Sequence, residues 1–270
     1  MPRNNIMVFS LARGGTTLLS LILGANKSIT NFGESHWIFK GSNKVDNSCR
    51  AHGEGCKVIS ELIKKGINYN NHFKMLMSAS STPHIMTTNK HFGHYKKMDY
   101  KLFNNKIILM YKPPEMWFGS FLGKDKIPLP KDRDKALAHL LDMHSSFYLE
   151  NIKLIKKNKH LNDYIVVNYR DLAEKTEETI RGISKFLEID YSDEMLRFNT
   201  YLMSDHPDQH PVGGNIRTYY NLNNGRDARY SSNIDSIYVE SKYKNKLTKK
   251  EIDTILSSNK YIITRKNLGL

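Results

Sequence analysis

Residues 12–17, Ala-Arg-Gly-Gly-Thr-Thr, put a guanidinium, two glycines and two hydroxyls side by side, between an apolar run at 6–11 and an amphipathic run at 16–25. A strand that turns tightly through glycines into a helix leaves first-turn N–H groups without intrahelical acceptors and sets the positive end of the helix dipole behind them. Arg13 adds a full charge, and Gly14, Gly15, Thr16 and Thr17 supply backbone and hydroxyl donors. Such a turn is a cradle for a phosphate or a similar oxyanion. It is not the loop that holds a magnesium nucleotide, which needs G-x-x-x-x-G-K-[ST], because the chain contains no G-K-S or G-K-T. Taken alone, the stretch also reads as a plain β-turn in which glycine supplies positive φ.

These residues need a scaffold, and the chain supplies alternating strand-like and helical runs. Strands are expected at 6–11, 28–32, 84–88, 107–111 and 164–169, the last (Y-I-V-V-N-Y) reading as the clearest buried strand. Helices are expected at 16–25, 115–122, 132–160 and 176–187, with Pro113 and Pro114 at the start of the second. In the third, Leu137, Leu140, Leu141, His144, Phe147, Tyr148, Ile152 and Ile155 form an apolar stripe, and Lys156, Lys157 and Lys159 gather at the C-terminal end that attracts cations. Alternation of this kind implies a three-layer α/β fold, a mostly parallel sheet flanked by helices. Residues 204–229 are rich in Gly, Asn, Asp and His and read as one long loop, a length that is uncommon unless the segment binds something or stays disordered.

The 270 residues, 39% hydrophobic, suffice for one sizeable core and are read as one domain over 1–270. No stretch has the roughly 18 apolar residues of a membrane span and no apolar segment opens the chain, so a cytoplasmic protein is expected. The formal charge of +14 favours anionic partners without choosing among them. Basic residues are spread along the chain with no RNA-recognition or zinc-finger signature, so no nucleic acid is expected. Cys49 and Cys56, in S-C-R-A-H-G-E-G-C, lack the companions of a zinc site and are read as reduced thiols in a loop, a local disulfide being the alternative.

Four segments in this order, R-G-G-T-T-L-L from Arg13, I-I-L-M-Y-K-P-P-E-M-W-F-G-S, V-V-N-Y-R-D-L and H-P-V-G-G-N-I-R, resemble the sulfotransferases that use 3′-phosphoadenosine 5′-phosphosulfate (PAPS). The resemblance covers about residues 6–257. It implies that the first loop, P-loop-like, holds the 5′-phosphosulfate through Arg13, Gly14, Gly15, Thr16 and Thr17. It also implies that Lys112 and Ser120, eight residues apart as in the family's R-x-P…S motif, bind the 3′-phosphate. Lysine for the family's arginine replaces a bidentate fork with a point charge. Tyr169 matches a tyrosine that touches adenine, Arg170 departs from the family's glutamate, and Gly214, Asn215 and Arg217 match a late phosphate-binding loop imperfectly. Leu18 stands where cytosolic small-molecule enzymes carry tryptophan, so the chain is more similar to carbohydrate, protein or bacterial-type sulfotransferases than to that branch.

Transfer to a hydroxyl needs a base at the acceptor oxygen and cations at the leaving phosphate. Glu34, in G-E-S-H-W-I-F, stands 21 residues after Arg13 at the expected end of the second strand and resembles the E-x-H-F-F base segment of glycosaminoglycan sulfotransferases, with His36 matching its histidine. His91 and His94 are the rivals, because small-molecule enzymes use K-x-H after the third strand; here Lys90 precedes His91 directly and is the candidate electrophilic contact. The resemblance implies PAPS as donor, 3′-phosphoadenosine 5′-phosphate (PAP) as product, no metal, and a hydroxyl-bearing acceptor such as a glycan, a peptide or a small molecule. A P-loop kinase lacks its Walker lysine here, and a polyanion-binding protein lacks the clustered aromatic and basic residues it would use.

Overall fold

A computed structural model of the chain describes residues 3–40, 48–90, 92–122, 131–161, 163–199, 206–224 and 246–270. Strands β1 (Asn4–Phe9), β2 (Ile29–Gly33), β3 (His84–Asn89), β4 (Asn104–Tyr111), β5 (Tyr164–Asn168) and β6 (Gln209–Val212) form one sheet in the order β5-β4-β1-β3-β2-β6. Every pairing is parallel. Consecutive residues of β1 and β3 are buried without alternation, which means that both faces of the sheet centre are covered. Register is tied by polar pairs inside this apolar layer: Asn5 lies opposite Asn105, and its Nδ2 donates to the Asn105 Oδ1 at 2.9 Å.

The flanking helices are α1 (Thr16–Gly24), α2 (Trp37–Lys40), α3 (Lys57–Lys64), α4 (His72–Ala79), α5 (Pro114–Phe121) and α6 (Arg133–Lys157), followed by α7 (Tyr169–Glu174), α8 (Thr176–Leu187), α9 (Ile216–Asn223), α10 (Lys249–Ser257) and α11 (Asn259–Leu268). Their starts follow local chemistry. Pro114 opens α5, where a missing N–H costs nothing. Asp132 caps α6 by accepting from the Lys135 N–H at 2.9 Å, and Thr248 with Glu251 forms a reciprocal capping box on α10. Trp117, Phe118 and Phe121 of α5 pack with Leu137 and Leu140 of α6 and Ile255 of α10 into a second apolar cluster beside the main core. No helix among the described residues is long and apolar enough to cross a membrane.

Three sequence expectations are corrected. Residues 164–169 are not the best-buried strand: β5 is a sheet edge in which only Val167 is fully buried. Tyr169 is not in that strand, because the Asn168 Oδ1 accepts the Arg170 N–H at 3.0 Å and turns the chain into α7. Residues 204–229 are not one loop, since β6 and α9 lie within them. The short run Gln-His-Pro-Val is too polar to announce a strand, and β2 recruits it as the opposite sheet edge.

Candidate active site

The chain leaves β1 toward β3 and β2 but leaves β4 toward β5, so the carboxyl ends of β1 and β4 frame the switch point at which a parallel sheet opens a crevice. The 10–15 turn lies there. The Gly14 N–H donates to the Leu11 carbonyl at 2.8 Å, and Gly15, at φ 99°, is the N-cap of α1. A Cβ on Gly14 would fall 1.7 Å from the Ser10 Oγ and one on Gly15 2.6 Å from the Tyr169 ring, so neither position admits a side chain. Arg13 itself sits at φ 65°, a left-handed conformation that few non-glycine residues adopt. Helix geometry leaves the Thr16, Thr17 and Leu18 N–H groups without intrahelical acceptors.

Lys112 follows β4 directly and is only 3% exposed. Its Nζ donates to the Ser120 Oγ at 3.3 Å and to the Arg13 carbonyl at 3.5 Å, and lies 4.7 Å from the centre of the Tyr169 ring. The eight-residue spacing works because Lys112 leaves the carboxyl end of β4 and α5 carries Ser120 back to it, within 3.3 Å of the Lys112 Nζ. An ammonium, a hydroxyl and an aromatic ring thus share one corner with the glycine turn. The Trp117 Nε1 anchors α5 to that turn by donating to the Ala12 carbonyl at 2.9 Å, and Arg170 pairs with the buried Glu115 at 2.6 Å.

The Lys112 backbone is held from α6. Its N–H donates to the Tyr148 hydroxyl at 3.1 Å, that hydroxyl donates to the Met110 carbonyl at 3.0 Å, and the His144 Nε2 donates to the Lys112 carbonyl at 2.8 Å. Burial holds His144 neutral, with its pKa lowered to about 4. His72, whose Nε2 meets the Ser35 Oγ at 2.9 Å, is lowered to about 3 by the same desolvation. Unfolded, both would protonate near the ordinary value of about 6.5. Stability from these groups is therefore complete above that pH and falls as the pH drops toward 4, by up to about 1.4 kcal/mol per unit for each histidine. Denaturant midpoints measured from pH 8 to 5 should show this decline, and His144→Gln should flatten it; an unchanged slope would remove His144 as a cause.

Glu34 immediately follows β2. It is buried, its N–H donates to the Val212 carbonyl at 2.8 Å, and its Oε2 accepts from the Trp37 Nε1 at 3.0 Å. The other oxygen, Oε1, lies 3.5 Å from the Nζ of Lys90, at the end of β3. The carboxylate is thus oriented on one oxygen by an indole and faces an exposed ammonium on the other. His36 is packed instead, 3% exposed, with Nδ1 3.3 Å from the Asn89 Nδ2 and its ring against Trp37.

Residues 213–215 join the two halves. A Cβ on Gly213 would fall 2.9 Å from that of Glu34, one on Gly214 would lie 3.5 Å from the Thr17 Oγ1, and the Asn215 N–H donates to the same oxygen at 3.4 Å. Arg217 sits on the exposed first turn of α9 and makes no hydrogen bond or ion pair with the glycine turn among the described residues. His91 and the side chain of His94 lie outside the described residues. Cys49 and Cys56 are free, as the sequence reading expects of them, and both are buried; the expectation that they lack metal-ligating companions is corrected, since two histidines converge on them.

Sequence reasoning missed Trp37, His144 and Tyr148 as supports of the site. A tryptophan three residues after a candidate base was the available signal for the first. The other two were hidden in the apolar stripe of α6, where their rings pack and only their polar tips reach the site.

A family model for a sulfotransferase domain matches residues 3–260. No curated protein sequence matches the chain significantly. The fold is similar to the sulfotransferase domain from the curacin biosynthetic pathway, at a TM-score of 0.60 and 15% identity over 95% of this chain and 97% of that one. It is similar to the sulfotransferase domain of the Synechococcus PCC 7002 olefin synthase, at 0.58 and 15% over 99% and 94%. It is also similar to mouse sulfotransferase SULT7A1 complexed with PAP, at 0.52 and 15% over 98% and 90%.

Proposed function

The chain belongs to the sulfotransferase family, whose members transfer a sulfuryl group from PAPS, and from that premise we propose that it acts as one domain that sulfates a hydroxyl of a carbohydrate or polypeptide, with Glu34 as the base. The observation that carries this reading is the buried Glu34 carboxylate at the carboxyl end of β2, held by Trp37 and facing Lys90 at 3.5 Å. Leu18 in place of a stacking tryptophan supports a non-phenolic acceptor.

The donor set fits PAPS. Both glycines of the first turn are sterically required, which keeps backbone N–H groups and not side chains at its surface, and Lys112 with Ser120 adds an ammonium and a hydroxyl beside it. The first-turn amides, Arg13, Thr16 and Thr17 would hold the 5′-phosphosulfate, Lys112 and Ser120 the 3′-phosphate, and Tyr169 the adenine side. Gly214 and Asn215 would close the first loop through Thr17, and Arg217 would reach the phosphates from α9. PAPS supplies an activated sulfuryl group whose departure leaves charge on the phosphate. Arg13 and the dipole of α1 would stabilise that charge, the Glu34 Oε1 would accept the acceptor's proton, and Lys90 would balance the carboxylate before it does so.

The chain should bind PAP far more tightly than AMP, because the second phosphate has its own ammonium and hydroxyl. Lys112→Ala should cost about 1.5–3 kcal/mol of PAP binding in calorimetry and leave AMP binding nearly unchanged. Comparable affinities for PAP and AMP would sink the assignment. Transfer of labelled sulfate onto panels of glycans, peptides and phenols tests the acceptor class, and phenols as the preferred acceptors would overturn it.

A further inference from the structure

Away from the crevice, Cys49, His52, Cys56 and His210 bring two sulfurs and two imidazole nitrogens within 4.8 Å of one another. The Cys49 Sγ is 3.5 Å from the His52 Nδ1, and the Cys56 Sγ is 3.4 Å from the His210 Nδ1. In a tetrahedral zinc site with bonds of about 2.3 Å to sulfur and about 2.0–2.1 Å to nitrogen, neighbouring sulfur and nitrogen ligands stand about 3.5 Å apart. Two edges of such a tetrahedron are therefore already at length. Cys49, Cys56 and His210 are buried and His52 is half-buried, so a bound ion would be shielded from water.

The backbone is built around the cluster. The Gly53 N–H donates to the Cys49 carbonyl at 2.8 Å, with Gly53 at φ 66°, which folds Cys49 and His52 back toward each other. The His52 N–H donates to the Cys49 Sγ at 3.4 Å, a bond that stabilises a metal-bound thiolate. Cys56 is the N-cap residue of α3, where the helix dipole favours a thiolate. His210 comes from β6, 154 positions beyond Cys56, and Cys49 bridges to Val212 of the same strand.

We propose that Cys49, His52, Cys56 and His210 form a structural zinc site that clips the 49–56 segment to the edge strand β6. Four protein ligands close the coordination sphere, which suits a structural and not a catalytic zinc. Both imidazoles would bind through Nδ1 and keep their proton on Nε2, and the two thiols would each lose a proton to solvent as Zn²⁺ binds. The consequence reaches the crevice. The Arg50 N–H donates to the Pro211 carbonyl at 2.7 Å and its Nε to the Gly213 carbonyl at 3.3 Å, while Val212 accepts the Glu34 N–H. The site therefore fixes the strand on which the backbone of Glu34 hangs. The inference does not rest on the sulfuryl-transfer reading.

The full chain, purified without chelator, should carry about one zinc per molecule by elemental analysis. After the metal is stripped, Co²⁺ should produce the intense visible bands of tetrahedral cobalt and a thiolate charge-transfer band. Cys56→Ser and His210→Ala should each weaken zinc binding by more than about a hundredfold in competition with a chromophoric chelator, beyond the usual cost of outer-shell changes. Should either fail to fold, His52→Ala reads the same site from its half-buried side, and the cobalt spectrum of the unaltered chain needs no variant. A pale octahedral cobalt spectrum with no bound zinc overturns the proposal. So does a Cys49–Cys56 disulfide that persists in chain purified under reductant.

Discussion

Glu34→Gln should lower turnover by about two to four orders of magnitude while leaving PAP affinity nearly unchanged. The amide keeps the shape of the side chain and an oxygen for the Trp37 Nε1, now 3.0 Å from Oε2, but it takes no proton at neutral pH. Single-turnover transfer with calorimetry of PAP separates the two effects. Trp37→Phe should reproduce part of the loss, because it frees the carboxylate to rotate without removing it. If Glu34→Gln stays active and His91→Ala or His94→Ala is dead, the base lies after β3 and the glycan-type resemblance fails with it. If all three stay active, the acceptor brings its own activated nucleophile.

Arg13→Ala should lose about two to three orders of magnitude in turnover, the range for removing one donor from a preorganised anion site, with a smaller loss in PAP binding. The asymmetry is expected because charge on the bridging oxygen develops only as the sulfuryl group departs. Arg13 is exposed, its guanidinium lies 5.8 Å from the centre of the Phe121 ring, and alanine at φ 65° is no more strained than the arginine already there, so the fold should tolerate the change. Arg13→Gly separates charge from backbone: it removes the guanidinium but suits the left-handed φ better, so it should be at least as stable as Arg13→Ala and equally slow. Unchanged turnover in both variants would remove Arg13 from the mechanism.

The two strongest expectations came from stretches whose chemistry is local. Gly14 and Gly15 read as a tight turn because no other residue fits there, and the structure shows why in the distances to the Ser10 Oγ and the Tyr169 ring. The first strand and helix, Pro114 at a helix start and the stripe of α6 are periodic or punctuated signals that survive in one dimension. The Lys112–Ser120 spacing carried meaning only through the family's motif, and the structure gives it a physical basis in the geometry of β4 and α5.

The sequence by itself determined the α/β class and the glycine turn between the first strand and helix, because strand, turn and helix propensities act over a few residues. Tertiary structure decided where the edges fall and what meets across them. β6 exists because β2 offers an unpaired edge, not because Gln-His-Pro-Val favours a strand, and β5 lies open on the opposite edge despite its apolar run. Glu34 faces Lys90 because β2 and β3 are neighbours in the sheet, although the two residues are 56 positions apart. Cys49 has His52 three residues away in the sequence, but the second imidazole, His210, reaches the thiols only when β6 brings it to them. Non-local pairing follows from sheet order, and no local propensity encodes which strand ends will be neighbours.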